Sequence, residues 1–96
     1  MTILATVTVK FFATVREAVG KRSAEMEAAN IRELLELLKR TYGKRFTDTV
    51  IDEETGELKR FYQCMVNGKR IELLDGYETE LNDDDSVALF PPVGGG

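Results

Sequence analysis

One stretch of this chain has the pattern of a long amphipathic helix, and that constrains the fold more than any other feature. Ile31, Leu34, Leu35, Leu38 and Tyr42 recur at helical spacing on one stripe, with Leu37 at its margin. Asn30 stands where an N-cap is needed, and Glu33, three residues on, completes a reciprocal capping pair. Glu36 precedes Arg40 by four residues, a favourable exposed pair, and Gly43 is a natural stop. The result is a helix of about three turns. A single helix of that length can cover one face of one sheet, which predicts a two-layer α+β architecture.

The remaining apolar residues read as strands. In TVTVKFF (6–12), Val7, Val9 and Phe11 fall on one face. In RSAEMEA (22–28), Ala24, Met26 and Ala28 alternate with Ser23, Glu25 and Glu27. ATVREAVGK, between them, carries a short helical piece ending at Gly20, so the two strands form an antiparallel pair with a long connection. In FYQCMVNGKRIEL, Tyr62, Cys64 and Val66 alternate up to Asn67–Gly68, the strongest two-residue hairpin signal, and Ile71 and Leu73 extend the return strand. Residues 44–60 read as a long polar loop with at most one helical turn around Thr47 to Ile51. DGYETELNDDD reads as a connection with Leu81 tucked beneath it, and SVALF (86–90) as the last strand, halted by Pro91 and Pro92. The order strand, strand, helix, strand, strand, strand makes the first and last strands parallel neighbours. This is the β-grasp roll, a mixed sheet of about five strands with one main helix across it.

FPPVGGG, residues 90–96, has no evident use within that fold. Consecutive prolines remove two backbone donors and hold the chain extended; three glycines have no side chains to pack and lose the most freedom when ordered. Residues 1–90 thus read as the domain and residues 91–96 as a flexible tail, stiff at its root and bare at its tip.

Composition narrows the chemistry. The 96 residues include one cysteine and no histidine, which removes a disulfide framework, the commonest metal ligand and the usual general base. With no P-loop and no nucleophile paired with a base, the chain is not expected to catalyse anything alone, to bind a cofactor or to hold a metal. From Ile71 onward seven acids face no base, while the first 70 residues hold the other ten acids and all 13 bases. The acidic balance makes nucleic acid a poor partner. A basic protein surface meeting the C-terminal acids is the better expectation. The opening MTILATVTVKFF has neither a basic lead nor a cleavage site, and no apolar run approaches a membrane span, so the reading is a cytoplasmic protein without membrane contact.

The element order, the opening VKFFATVREAVG, the VNG turn and above all DDSVALFPPVGGG resemble MoaD, the small subunit of molybdopterin synthase, and equally the small archaeal modifier proteins. The resemblance covers nearly the whole chain, with residues 44–60 the weakest part. It implies that the Gly96 carboxylate is the reactive group, that Gly94 and Gly95 give it access, and that an E1-like adenylating enzyme of the MoeB or UbaA type activates it with ATP. The adenylate then becomes a thiocarboxylate, serving molybdopterin synthesis with the synthase large subunit or tRNA thiolation, or it passes to lysines of target proteins as an isopeptide. The free protein is expected to be a monomer.

Around that terminus, Phe90, Pro91, Pro92 and Val93, with Asp83, Asp84 and Asp85, are the expected docking residues. Phe90 reads equally as core or as an exposed anchor. Cys64 reads as a buried apolar residue, and the three aspartates as a solvated turn rather than a metal site. Lys21, Lys39, Lys44, Lys59 and Lys69 read as solvated side chains. Two functions stand: a carrier or modifier activated at its C-terminus, and an interaction module of the same fold with an inert tail.

Overall fold

The computed structural model describes residues 3–92. Five strands, β1 (Ala5–Phe11), β2 (Ser23–Ala28), β3 (Gln63–Val66), β4 (Lys69–Arg70) and β5 (Ser86–Phe90), form one sheet in the order β2-β1-β5-β3-β4. β1 pairs antiparallel with β2 and parallel with β5, and β5 pairs antiparallel with β3. The parallel pairing of first and last strands is the one the sequence reading requires, and the architecture is the ubiquitin-like β-grasp roll.

α2 (Ile31–Tyr42) crosses one face of the sheet and buries Ile31, Leu34, Leu35 and Leu38. These pack over Val7, Val9, Phe11, Val87 and Leu89, all 2% exposed or less, so the core lies between this helix and the three central strands. The capping pair is present: the Asn30 side chain accepts the Glu33 N–H (2.8 Å), while the Ala29 N–H reaches the Glu33 carboxylate (3.3 Å). The loop from 75 to 82 supports the same helix end. Ile31 N–H donates to the Thr79 carbonyl (3.1 Å), Leu81 N–H donates to Ala29 (3.0 Å), and the Leu81 side chain is buried as expected.

The short helical piece expected after β1 is α1 (Thr14–Val19), capped at Gly20. Two details differ from the sequence reading. A further helix, α3 (Lys44–Val50), occupies the start of the stretch read as a loop. α3 exists because Phe46 and Val50 stand one turn apart and both are fully buried. Phe46 stacks near Tyr42 (6.4 Å between ring centroids) and Tyr42 meets Phe11 edge-on (5.8 Å), an aromatic line joining α3, α2 and β1. The rest of the stretch is a tight turn: Ile51 bridges Leu58, and the Lys39 ammonium holds it through the Gly56 carbonyl. Finally, β4 ends at Arg70. Ile71–Leu73 turn into a 3-10 helix that buries Ile71 and leaves Leu73 exposed. A two-residue edge strand carrying Lys69 and Arg70 offers little backbone for another chain to pair with.

Leu38→Ala should destabilise the domain by about 2–5 kcal/mol and Phe46→Ala by about 3–5 kcal/mol, through lost transfer energy and the cavity left behind. Thermal or denaturant midpoints check both. An unchanged midpoint in Phe46→Ala would mean that α3 is not part of the core.

Candidate functional site at the root of the tail

The strand that leads into the tail is the middle one of the sheet. β5 has β1 on one side and β3 on the other, with Leu89 opposite Phe11 and Cys64, and Phe90 opposite Gln63. Phe12 N–H donates to the Leu89 carbonyl (3.2 Å), carrying the parallel ladder one residue beyond β1. The Thr14 hydroxyl lies 3.2 Å from that of Tyr62, linking the segments that follow β1 and precede β3. Pro91 therefore starts from a point held from both sides. Pro91 is half-buried and Pro92 exposed. Val93, Gly94, Gly95 and Gly96 lie outside the described residues, as does the expectation of a flexible tail.

Phe90 is neither core nor bare. It is half-buried on the face of the sheet away from α2, and its ring meets Phe12 edge-on at 6.2 Å. Phe12 itself is 40% exposed, and Phe61, two residues before β3 pairs with Phe90, is 64% exposed. Phe61 has φ +73, a region that bulky L-residues rarely occupy. The sequence reading named neither Phe12 nor Phe61. Their only signal was a second aromatic where alternation should have stopped, in KFF, and an aromatic opening a strand, in RFY.

The three aspartates are elsewhere. Asp83, Asp84 and Asp85 precede β5, so its five residues separate them from the tail root by about 17 Å at 3.3–3.4 Å per residue. The structure does not bring them together with Phe90, Pro91 and Pro92. Two of the three carboxylates also face inward on their own turn. Asp83 accepts the Thr6 N–H (2.9 Å), and Asp85 accepts from the Asn67 amide and from Asn82 N–H (both 2.8 Å). Asn67 in turn accepts the Ser86 N–H (2.9 Å), so the acidic turn and the Asn67–Gly68 hairpin clasp one end of β5. Asp83 and Asp85 are therefore structural as well as charged, and neutralising them would disturb this end of the fold. Among the described residues no cluster of three or more acidic, cysteine or histidine side chains could hold a metal ion.

Cys64 is 3% exposed in β3, and burial pushes its thiol up to about 12, with Glu72 adding to the effect. A thiol so far above neutrality is not a nucleophile. Lys39 donates to the Gly56 carbonyl and Lys59 to the Asp48 carbonyl in the last turn of α3, so these two lysines are engaged rather than simply solvated, while Lys44 pairs with Asp48 (3.0 Å) and stays exposed. No helix among the described residues is long and apolar enough to cross a membrane.

The sequence model of the ThiS family matches residues 9–96. The chain belongs to that family. It is 37% identical over 90 residues to small archaeal modifier protein 3 of Haloferax volcanii, covering 91% of this chain and 95% of that one. It is 31% identical over 77 residues to a candidate sulfur carrier protein of Archaeoglobus fulgidus, covering 80% and 85%. Its structure is similar to the solution structure of small archaeal modifier protein 1 from Methanosarcina acetivorans, with TM-score 0.82, 32% identity and coverage of 98% and 99%.

Asp85→Ala removes two hydrogen bonds to a charged acceptor and should lower stability by about 1.5–3 kcal/mol, whereas Asp84→Asn, at an exposed position, should change it little. Equal midpoints for the two variants would contradict the clasp. The raised Cys64 pKa stabilises the fold below the ordinary thiol value of 9.0, and that contribution is lost as pH rises from there toward about 12. Iodoacetamide at pH 8 should therefore leave the folded protein unlabelled and modify it in denaturant; rapid labelling of the native state would contradict the burial.

Proposed function

We propose that the protein is a ubiquitin-like carrier or modifier whose Gly96 carboxylate is the reacting group, activated by an adenylating partner. The observation that supports this best is the placement of the tail on the central strand. A terminus that must enter another protein's nucleotide site needs a root with a fixed position, because misplacement of about 1 Å can cost on the order of a hundredfold in rate. Membership of the ThiS family, with relatives named as a modifier and as a candidate sulfur carrier, supports the same reading. A modifier or carrier is the substrate of a partner enzyme, and the proposed role here is that of a carrier, not a catalyst.

A carboxylate is a poor acyl donor until its oxygen is converted to a leaving group. In the proposed cycle the Gly96 carboxylate attacks the α-phosphorus of ATP bound by the partner, releasing pyrophosphate and leaving an acyl-adenylate. A sulfur donor at the hydrosulfide level then displaces AMP to give a thiocarboxylate, or a lysine amine displaces it to give an isopeptide, losing a proton. Both products come from one intermediate, so the same tail serves either. Glycines suit a narrow, water-excluding channel because a side chain on the last residues would have to enter it too. Phe12, Phe90 and Phe61 beside the root supply apolar area for the partner to cover.

Deleting Gly95 and Gly96 retracts the carboxylate by about 7 Å. ATP–pyrophosphate exchange with the cognate adenylating enzyme should then fall at least about a hundredfold, with an unchanged melting midpoint. Full exchange in the truncated protein would favour the interaction module with an inert tail.

A further inference from the structure

The charge nearest the tail has the opposite sign to that of the C-terminal sequence. Arg16, on α1, lies over the Phe12 ring at 5.9 Å and donates through Nε to the Phe11 carbonyl (3.2 Å). Arg60 lies over the Phe61 ring at 4.8 Å and is exposed. Phe12 continues from the strand on one side of β5, and Phe61 leads into the strand on the other. The tail root thus passes between two arginine–phenylalanine pairs. Lys10, exposed and in register with Ala88 two residues before Phe90, adds a third cation on the same side.

We infer that these pairs form an electropositive aromatic collar that receives an acidic rim around the apolar docking surface of the adenylating partner. The inference rests on the tail reading above and gives the partner's surface a sign. Stacking on aromatic rings holds the guanidinium groups in place while leaving N–H donors for carboxylates, the geometry arginine suits best. Glu72, exposed in the cleft that Arg60 and Phe61 line, offsets one of the three cations and leaves the balance positive. The aspartates at the far end of β5 do not cancel it. They stand about 17 Å away along the strand, roughly two screening lengths at physiological ionic strength. An acidic partner rim is therefore attracted at the end where the tail enters it, and a basic one is not. Two arginines and a lysine fall short of the continuous cationic track that nucleic-acid binding uses. The strain at Phe61 has the same explanation, since its left-handed backbone keeps the ring exposed beside Arg60 instead of in the strand's register.

The test measures association of the full chain with its cognate adenylating enzyme, by stopped flow or surface plasmon resonance, alongside ATP–pyrophosphate exchange. Arg60→Glu should slow association at least about tenfold, the double variant Arg16→Glu/Arg60→Glu more so, and both should flatten its salt dependence. At saturating protein the exchange rate should stay as in wild type. Arg60 is exposed, so its reversal should not unfold the domain. Arg40→Glu, on the outer face of α2, should leave association unchanged and so separates local from net charge. Association unaffected or quickened by Arg60→Glu would overturn the collar, as would equal slowing by Arg40→Glu. Normal association without exchange in the wild type would instead overturn the tail reading and leave the collar standing.

Discussion

The pairing of β5 on both sides is the constraint on which the rest of the structure depends. A last strand at the edge of a sheet could fray with whatever follows it; this one has a parallel ladder to β1, an antiparallel ladder to β3, and two side chains, Val87 and Leu89, buried under α2. Freeing it would break both ladders and open the core between the sheet and the leucines of the helix. The tail root is thereby fixed to a strand that is paired on both sides and packed against the core.

The same strand separates charge. Its first end is clasped by an acidic turn whose carboxylates serve backbone and amide donors, and its last end lies between arginines stacked on phenylalanines. At about 17 Å the two ends exceed the screening length, so a partner meeting one feels little of the other. Net charge is therefore a poor guide to what this surface attracts. Arginines flank the tail root on a chain whose formal net charge is −4.

Much of the fold was legible because its signals are local. The leucine stripe of α2, its Asn30 cap, the alternation in β1 and β2 and the Asn67–Gly68 turn each specify geometry within a few residues. α3 was hidden because a seven-residue helix needs only two buried side chains, and Phe46 and Val50 are too few to set a period among polar neighbours. The return strand after Gly68 was overextended because Ile71 and Leu73 keep the alternation of a strand while the backbone leaves the sheet. The proposed terminus rests on residue types, proline then glycine after a strand, and Gly94 to Gly96 lie outside the described residues. Its surroundings were not: Arg16, Phe12, Arg60 and Phe61 come together only through the sheet order. Asp85, five residues from Phe90 in sequence, was placed too near because an extended strand turns short sequence separation into distance.

The central claim is that the Gly96 carboxylate does the protein's work, and intact-mass analysis of the protein isolated from its native cells tests it most directly. The account predicts either a fraction in which one terminal oxygen is replaced by sulfur, localised by fragmentation to the last residue, or conjugates in which the Gly96 carbonyl is joined to a lysine amine. Finding only the free carboxylate, in cells grown under sulfur demand and again after incubation with ATP, sulfur donor and the cognate adenylating enzyme, would contradict it.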